Sequence, residues 1–145
     1  MTILIVNGPN LNFLGRRSKE HYGSLTLEQI NSQILKQALK LKIKIKFFQS
    51  NSEGALIDFI QKESAQADAI IINPGAFAHY SYALLDALID SNLPIVEVHL
   101  SDISKREPWR RKSVISQAAC KVIQGKKEQG YLEALNYLIK AVNLI

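Results

Sequence analysis

Two residues near the end of an apolar run have the types and spacing of an acid–base pair. Glu97 and His99 stand two positions apart, so in a strand both side chains would point to the same face. A carboxylate beside an imidazole fixes its tautomer and favours the imidazolium form, which suits a general acid. A purely structural hydrogen bond at a strand end would have the same spacing. The pair alone therefore leaves both interpretations open.

A long loop near the N-terminus carries a tyrosine and an arginine that could act together. Residues 7–23 exceed the roughly two to six residues usual for a strand-to-helix connection, and long connections are often lids or binding segments. A tyrosine has an ordinary pKa of about 10, so a tyrosine base near neutral pH needs a nearby cation. Arg17, five residues before Tyr22, is a candidate for that cation. A flexible surface loop with its tyrosine packed down for burial is the alternative.

Basic residues after the Glu97–His99 run could bind an anion. The guanidinium groups of Arg106 and Arg110 could form paired hydrogen bonds to a carboxylate, and backbone donors at Leu100 and Ser101 could add further hydrogen bonds. A basic surface turn is the alternative. The net charge of +5 also permits nucleic-acid binding, but no aromatic single-strand platform or helix-turn-helix pattern accompanies it. A small anionic ligand is the favoured partner.

Further polar residues raise the possibility of other sites. His79 and Asp86 are seven residues apart and would share one helical face if both were helical, although an aspartate there is more often a solvated charge. His79, Glu97 and His99 could bind a metal, but their spacing matches no strong zinc signature, so we predict no metal site. The chain also lacks the Walker and Rossmann glycine patterns, which disfavours a nucleotide phosphate as ligand.

Composition narrows the class of protein. With 47% apolar and 21% charged residues the chain is expected to be globular rather than disordered, and residues 1–145 suit one domain. Cys120 is the only cysteine, so no internal disulfide can form and a reducing cytoplasm is the expected location. No signal-like segment begins the sequence, and no apolar run approaches the roughly 20 residues of a membrane span. We therefore expect a soluble protein.

The elements that must position these residues follow from hydrophobic periodicity. Short apolar or alternating runs predict strands at 2–6, 43–47, 69–72, 95–100 and 119–123. Helical spacing predicts a helix after Thr26, which would form a capping box with Gln29, and further helices around 56–60, 82–89 and 131–142. Five βα units imply parallel strands. The prediction is a single-domain α/β protein with a flavodoxin-like, three-layer fold around a five-stranded parallel sheet.

Polar residues fall where four of these strands end. Asn10 follows the first strand, Asn51 the second and Asn73 the third, and His99 closes the fourth. Each could be ordinary turn chemistry. Open α/β sheets, however, bind ligands beyond the carboxyl ends of their strands, so four such residues on one rim favour a shared pocket.

Four segments in this order resemble the type II 3-dehydroquinate dehydratases. They are NGPNLNFLGRR followed by Tyr22-Gly23, then QSNSEGALID, INPGAFAHYSYALLDAL, and VEVHLSD with REPWR after it. The resemblance covers nearly the whole chain and implies a lyase that removes water from 3-dehydroquinate in the shikimate pathway. A non-catalytic flavodoxin-like module that binds a small anion is the main alternative, and nucleic-acid binding through the basic patch is a weaker one.

The resemblance also implies roles for individual residues. Tyr22 would be the base and Arg17 the group that keeps it ionised, while Asn10 would hold a water against the forming enolate. His99 would be the acid, oriented by Glu97. The implied substrate-binding residues are Asn73, His79, Asp86, Leu100, Ser101 and Arg110, with Arg106 in support.

The family pattern further implies no cofactor, no metal and a dodecamer built from trimers, in which Asp86 would reach the cleft of a neighbouring subunit. The chain departs from that pattern at a few positions, none of them an implied acid or base. These are Ser18-Lys19, Leu85, Asp102 and Ser104-Lys105. The departures concern the lid and the subunit contact near Leu85.

Overall fold

Five strands form one parallel sheet in the order β2-β1-β3-β4-β5. The computed structural model describes residues 1–143, so the last two residues of the predicted 1–145 domain lie outside the described part. The strands are β1 (Thr2–Asn7), β2 (Lys44–Gln49), β3 (Ala69–Asn73), β4 (Ile95–His99) and β5 (Lys121–Gln124). This order is that of flavodoxin-like folds, which confirms the predicted fold class.

The α-helices lie between the first four strands and after the last one, and they cover both faces of the sheet. They are α1 (Lys19–Tyr22), α2 (Leu27–Lys40), α3 (Glu53–Glu63), α4 (Tyr82–Asp90) and α5 (Gln129–Val142). Thr26 caps α2 with both reciprocal hydrogen bonds to Gln29, as its sequence predicts. Within residues 1–143, no helix combines the length and the apolar character that crossing a membrane would require.

Alternate residues of the central strands face two separate hydrophobic cores. Ile3 and Ile5 of β1 pack with α2 and α5, whereas Leu4 and Val6 pack with α3 and α4. All four side chains are fully buried, as expected for a parallel strand that helices cover on both sides. The sheet and its two helical layers make the predicted three-layer architecture.

The two edge strands differ in how well the sequence predicts them. The alternation of lysine with apolar residues in β2 predicts an edge strand, and β2 does lie at one edge of the sheet. The predicted bounds of β5, 119–123, are wrong by up to two residues, since the strand begins at Lys121. Ala118 and Ala119 instead close a turn that packs against the α3–α4 core.

The connection from β4 to β5 contains no α-helix, which corrects the expectation of five complete βα units. Residues 100–120 form three short 3₁₀ turns, at Ile103–Lys105, Pro108–Arg110 and Ile115–Gln117. Proline lacks an amide donor, and Asp102 caps the first turn by accepting from the Ser104 amide, so both favour short turns over a long helix. This segment supplies several side chains to the site described next.

Candidate active site

The site lies where the chain leaves β1 and β3 in opposite directions across the sheet. Asn7 and Asn73 pair at the carboxyl ends of these neighbouring strands, and β2 and β4 lie on opposite sides of the β1–β3 pair. The two loops pack so closely that a Cβ on Gly8 would stand 2.3 Å from the carbonyl oxygen of Pro74. Only glycine permits this approach. The result is the crevice in which open α/β sheets bind ligands.

An open cleft occupies this rim. Ten of the twelve predicted site residues line it. They are Asn10, Arg17, Tyr22, Asn73, His79, His99, Leu100, Ser101, Arg106 and Arg110. The remaining two, Glu97 and Asp86, are placed elsewhere.

Glu97 lies behind His99 rather than in the cleft wall. His99 Nε2 donates to Glu97 Oε1 at 2.6 Å, and the two residues are 5% and 0% exposed. Both belong to the face of β4 that carries Ile95, because they alternate with Val96 and Val98 of the opposite core. This bond orients the imidazole and leaves Nδ1 as the ring nitrogen for chemistry in the cleft.

Two serines of the β4–β5 connection complete the surroundings of Glu97. Ser113 Oγ donates to Glu97 Oε1 at 2.5 Å, and Ser116 Oγ donates to Oε2 at 2.6 Å. Burial opposes ionisation of the carboxyl, but the bonds from His99, Ser113 and Ser116 outweigh burial and hold the pKa of Glu97 below its ordinary value. His99 is therefore in contact with a buried carboxylate that three hydrogen bonds stabilise.

The phenol of Tyr22 is held between two guanidinium groups. Arg106 Nη1 donates to Tyr22 Oη at 3.2 Å and to Ser101 Oγ at 3.1 Å. Arg17 lies over the ring face, with its Cζ 3.8 Å from the ring centroid. Burial lowers the pKa of Arg17, attraction to Tyr22 raises it, and repulsion from Arg110 and Arg106 lowers it further. Arginine stays protonated through such shifts, so the tyrosine meets two positive charges.

Asn10 and Asn73 present polar groups from the two switch-point loops. Asn10 has a left-handed backbone with φ of 66°, and its amide donates to Asn51 Oδ1 at 2.9 Å. Asn73 Oδ1 accepts from the Gly75 amide at 3.2 Å. Both asparagines line the cleft. Asn51, which follows β2, does not line the cleft, but it holds the Asn10 backbone through this hydrogen bond.

His79 and Arg110 form the side of the cleft near Trp109. His79 Nδ1 donates to the carbonyl oxygen of Lys112 at 2.8 Å, and Arg110 Nε contacts Glu107 Oε2 at 2.6 Å. Burial lowers the pKa of His79, and its hydrogen bond to Lys112 only partly offsets burial. A neutral His79 that donates through Nδ1 has Nε2 as an acceptor, which suits a ligand hydroxyl.

His79 and Asp86 do not belong to one helix, so the condition for a shared helical face is not met. His79 ends a 3₁₀ turn, Gly75–His79, whereas Asp86 lies within α4. Ser81 starts α4 by accepting from the Leu84 amide, so a new helix axis begins between them. Asp86 is exposed and lies outside the cleft of its own chain.

In residues 1–143, no three side chains of the metal-binding types gather as a metal site would require. His79 and His99 each use one ring nitrogen for a protein hydrogen bond instead.

Sequence reasoning missed three polar residues that contact side chains of this site, namely Ser113, Ser116 and Glu107. The serines follow Glu97 by 16 and 19 residues across irregular backbone. No periodic pattern links positions through such a segment. Glu107, in contrast, stands three residues before Arg110, a spacing that could have suggested the ion pair.

Comparisons with known proteins agree on one family. The model of the family described as dehydroquinase class II matches residues 1–139. A 3-dehydroquinate dehydratase from Clostridium botulinum is 49% identical over 137 residues, which are 94% of this chain and 93% of that protein. Another of that name, from Roseiflexus castenholzii, is 51% identical over 139 residues, covering 96% of this chain and 88% of the relative.

A solved structure agrees as well. The type II dehydroquinase from Butyrivibrio crossotus superposes with a TM-score of 0.93 at 42% identity, and the match covers 95% of this chain and 97% of that one. The family model and the relatives each span most of the chain, and the cleft at the switch point contains ten of the twelve residues that the family resemblance implies. The chain therefore belongs to the class II dehydroquinase family.

Proposed function

We propose that this cleft removes water from 3-dehydroquinate to give 3-dehydroshikimate, a step of the shikimate pathway, with Tyr22 as base and His99 as acid. One observation carries the assignment of roles: a phenol held by two guanidinium groups and a carboxylate-bound imidazole line the same cleft. Family membership and the shared name of the relatives support the reaction itself, over a non-catalytic anion-binding module.

In the first step, the phenolate of Tyr22 takes a proton from the carbon beside the ketone. The electron pair of that C–H bond moves onto the carbonyl oxygen, which becomes an enolate. A phenolate needs cationic neighbours at neutral pH, and Arg106 and Arg17 supply them. A water held by Asn10 would donate to the enolate oxygen, so that the developing charge is stabilised by a fixed dipole.

In the second step, the enolate reforms the ketone and expels the tertiary hydroxyl group. That hydroxyl leaves as water after accepting a proton from the imidazolium of His99, and a carbon–carbon double bond conjugated with the ketone remains. Tyr22 has then gained one proton and His99 has lost one, and exchange with solvent restores both. Glu97 keeps the imidazole oriented throughout.

The substrate's carboxylate explains the remaining positive charge of the cleft. Arg110 lines the same cleft as Leu100 and Ser101, and guanidinium and backbone donors together bind carboxylates well. Asn73 and neutral His79 would bind ring hydroxyl groups. None of these contacts requires a cofactor or a Schiff base.

The direct test is to incubate the purified protein with 3-dehydroquinate and to follow the ultraviolet absorbance of the conjugated enone. We expect a rise that is proportional to protein concentration. A correctly folded sample that produces no rise above the buffer rate would contradict the function. Equilibrium binding of the substrate by that same inactive sample would instead favour the anion-binding module.

We also propose that the chain assembles as trimers within a dodecamer, with Asp86 reaching a neighbour's cleft. Asp86 is exposed on α4 and shares a helical face with Tyr82 and Ile89, which are 63% and 54% exposed. Large exposed apolar side chains beside a charge often mark subunit contacts. Light scattering of the purified protein tests the assembly, and a monomer would contradict it.

A cytoplasmic location is part of the proposal. It is supported by the absence of any disulfide partner for Cys120, the only cysteine of the chain. Fractionation of the source cells, with the enone assay applied to each fraction, tests it. Activity confined to an extracellular or membrane fraction would contradict the location.

A further inference from the structure

A lysine from the β5–α5 connection reaches the short helix that carries Tyr22. Lys127 Nζ donates to the carbonyl oxygen of Glu20 at 2.9 Å. Glu20 lies in α1, whose own hydrogen bonds run from the Tyr22 amide to Ser18 and from the Gly23 amide to Lys19. Carbonyl groups in the last turn of a helix need donor partners from outside, and Lys127 provides one for Glu20.

The methylene stem of Lys127 also lies against the end of α1. A Cβ built on Gly23 would stand 3.5 Å from Cδ of Lys127 and 3.8 Å from its Cβ, which are ordinary contact distances. The stem of Lys127 therefore runs beside Gly23, the residue that follows α1, while its ammonium group bonds to Glu20 within α1.

The backbone of Lys127 is held in a conformation that disfavours a side chain. Its φ is 52°, in the left-handed region that residues other than glycine and asparagine rarely adopt. Its amide donates to the carbonyl of Leu100 at 3.1 Å, just beyond β4, and its own carbonyl accepts from the Gly130 amide of α5. The residue is thus fixed to the rigid part of the fold at a position where glycine would be less strained.

We propose that Lys127 is a positioning residue for Tyr22: it fastens α1 to the rigid end of the sheet and so holds the phenol in the cleft. The Lys127–Glu20 contact, here called the tether, joins the β5–α5 connection to Glu20, which lies two positions before Tyr22. The Tyr22 side chain contacts Arg17 and Arg106, and it must stay aligned with them. Loss of the tether would free the α1 backbone that carries this side chain. This contact explains why a lysine occupies a left-handed backbone conformation that glycine would adopt with less strain. The inference rests on the proposed role of Tyr22 as the base.

Lys127→Met tests the tether, because methionine keeps most of the stem and removes the ammonium group. Loss of one hydrogen bond of ordinary strength should lower kcat/KM about three- to tenfold. The matched control is Lys126→Met, since the neighbouring lysine pairs with Glu133 of α5 and does not touch α1. We expect the control to keep wild-type activity.

Limited proteolysis tests whether the tether holds α1 in place, and it does not depend on dehydratase activity. Trypsin can cleave after Arg16, Arg17 and Lys19, which lie just before or within α1. If the tether holds α1 in place, cleavage at these bonds should be about three- to tenfold faster in Lys127→Met and unchanged in Lys126→Met. This measurement stays informative even if the protein proves to have no dehydratase activity, so failure of the two proposals can be told apart.

Two further variants separate positioning from stability. Lys127→Gly relieves the left-handed backbone, so its Tm should be no lower than that of the wild type while its kcat/KM falls. Lys127→Arg retains a cationic donor of similar reach and should recover most of the activity. The proposal is overturned if Lys127→Met and Lys127→Gly keep wild-type kcat/KM and wild-type cleavage rates, or if activity simply follows Tm across the series.

Discussion

The guanidinium group that touches the phenolic oxygen of Tyr22 belongs to Arg106, whose Nη1 lies 3.2 Å from Oη. Arg17, five residues from Tyr22 in sequence, lies over the ring face instead. A donor aimed at the oxygen stabilises a phenolate more directly than a cation above the ring, because the charge is concentrated on oxygen. The arrangement therefore places Arg106, rather than Arg17, at the phenolic oxygen.

Tyr22→Phe should abolish most turnover and leave substrate binding nearly intact. The substitution removes only the phenolic oxygen, and loss of a general base typically lowers kcat by about 10²–10⁴-fold. The enone assay gives kcat, and titration calorimetry with 3-dehydroquinate gives the Kd. Near-normal turnover would remove Tyr22 from the role of base.

Arg106→Ala should move the rising limb of the kcat–pH profile to higher pH. A base acts when deprotonated, so activity rises as pH passes through its titration, and loss of the neighbouring cation makes deprotonation harder. Arg16→Ala is a matched control, because Arg16 is an exposed arginine of the same loop that lies near Phe13 and outside the cleft. An unshifted rising limb in Arg106→Ala, with normal circular dichroism, would argue against the contact.

Glu97→Gln should move the falling limb of the same profile to lower pH. A general acid acts when protonated, and glutamine keeps the shape of the residue while removing the charge that stabilises imidazolium at His99. A falling limb that stays in place in Glu97→Gln would exclude the imidazolium as the acid.

Glu97 should also make the folded state sensitive to acid. Its pKa is held below the ordinary value of 4.5, so it contributes stability that is fully present above pH 4.5 and is lost as pH falls through the folded value. Glu97→Gln should be less stable at neutral pH by about 1–3 kcal/mol, since bonds to a buried charge are lost. Its Tm should fall less steeply below pH 4.5 than that of the wild type. Parallel Tm–pH curves would contradict this account.

Sequence patterns correctly predict the parts of the fold that depend on interactions between residues close together in the chain. The capping box at Thr26 and the buried strand Ala69–Asn73 each depend on residues close together in the chain, and both form as expected. The polar residues at strand ends were predictable for a related reason, since parallel strands bring all their carboxyl ends to one rim.

The contacts that tune the site could not be predicted in this way. Arg106 and Tyr22 are 84 residues apart, and Lys127 and Glu20 are 107 apart. Ser113 and Ser116 reach Glu97 through three irregular turns with no period to extrapolate. Such contacts depend on how loops fold over the finished rim of the sheet, a property that neither spacing nor composition contains.

Mixed oligomers provide the test of Asp86, which lies outside the cleft of its own chain. If Asp86 completes a neighbour's site, Asp86→Ala and Tyr22→Phe should each be nearly inactive alone. When the two variants are co-expressed, however, some clefts receive wild-type Tyr22 from one subunit and wild-type Asp86 from the next. Activity of the mixture should then exceed the sum of the separate variants by a large factor, and light scattering should confirm a mixed assembly. A mixture no more active than its components would show that Asp86 does not complete the cleft of a neighbouring subunit.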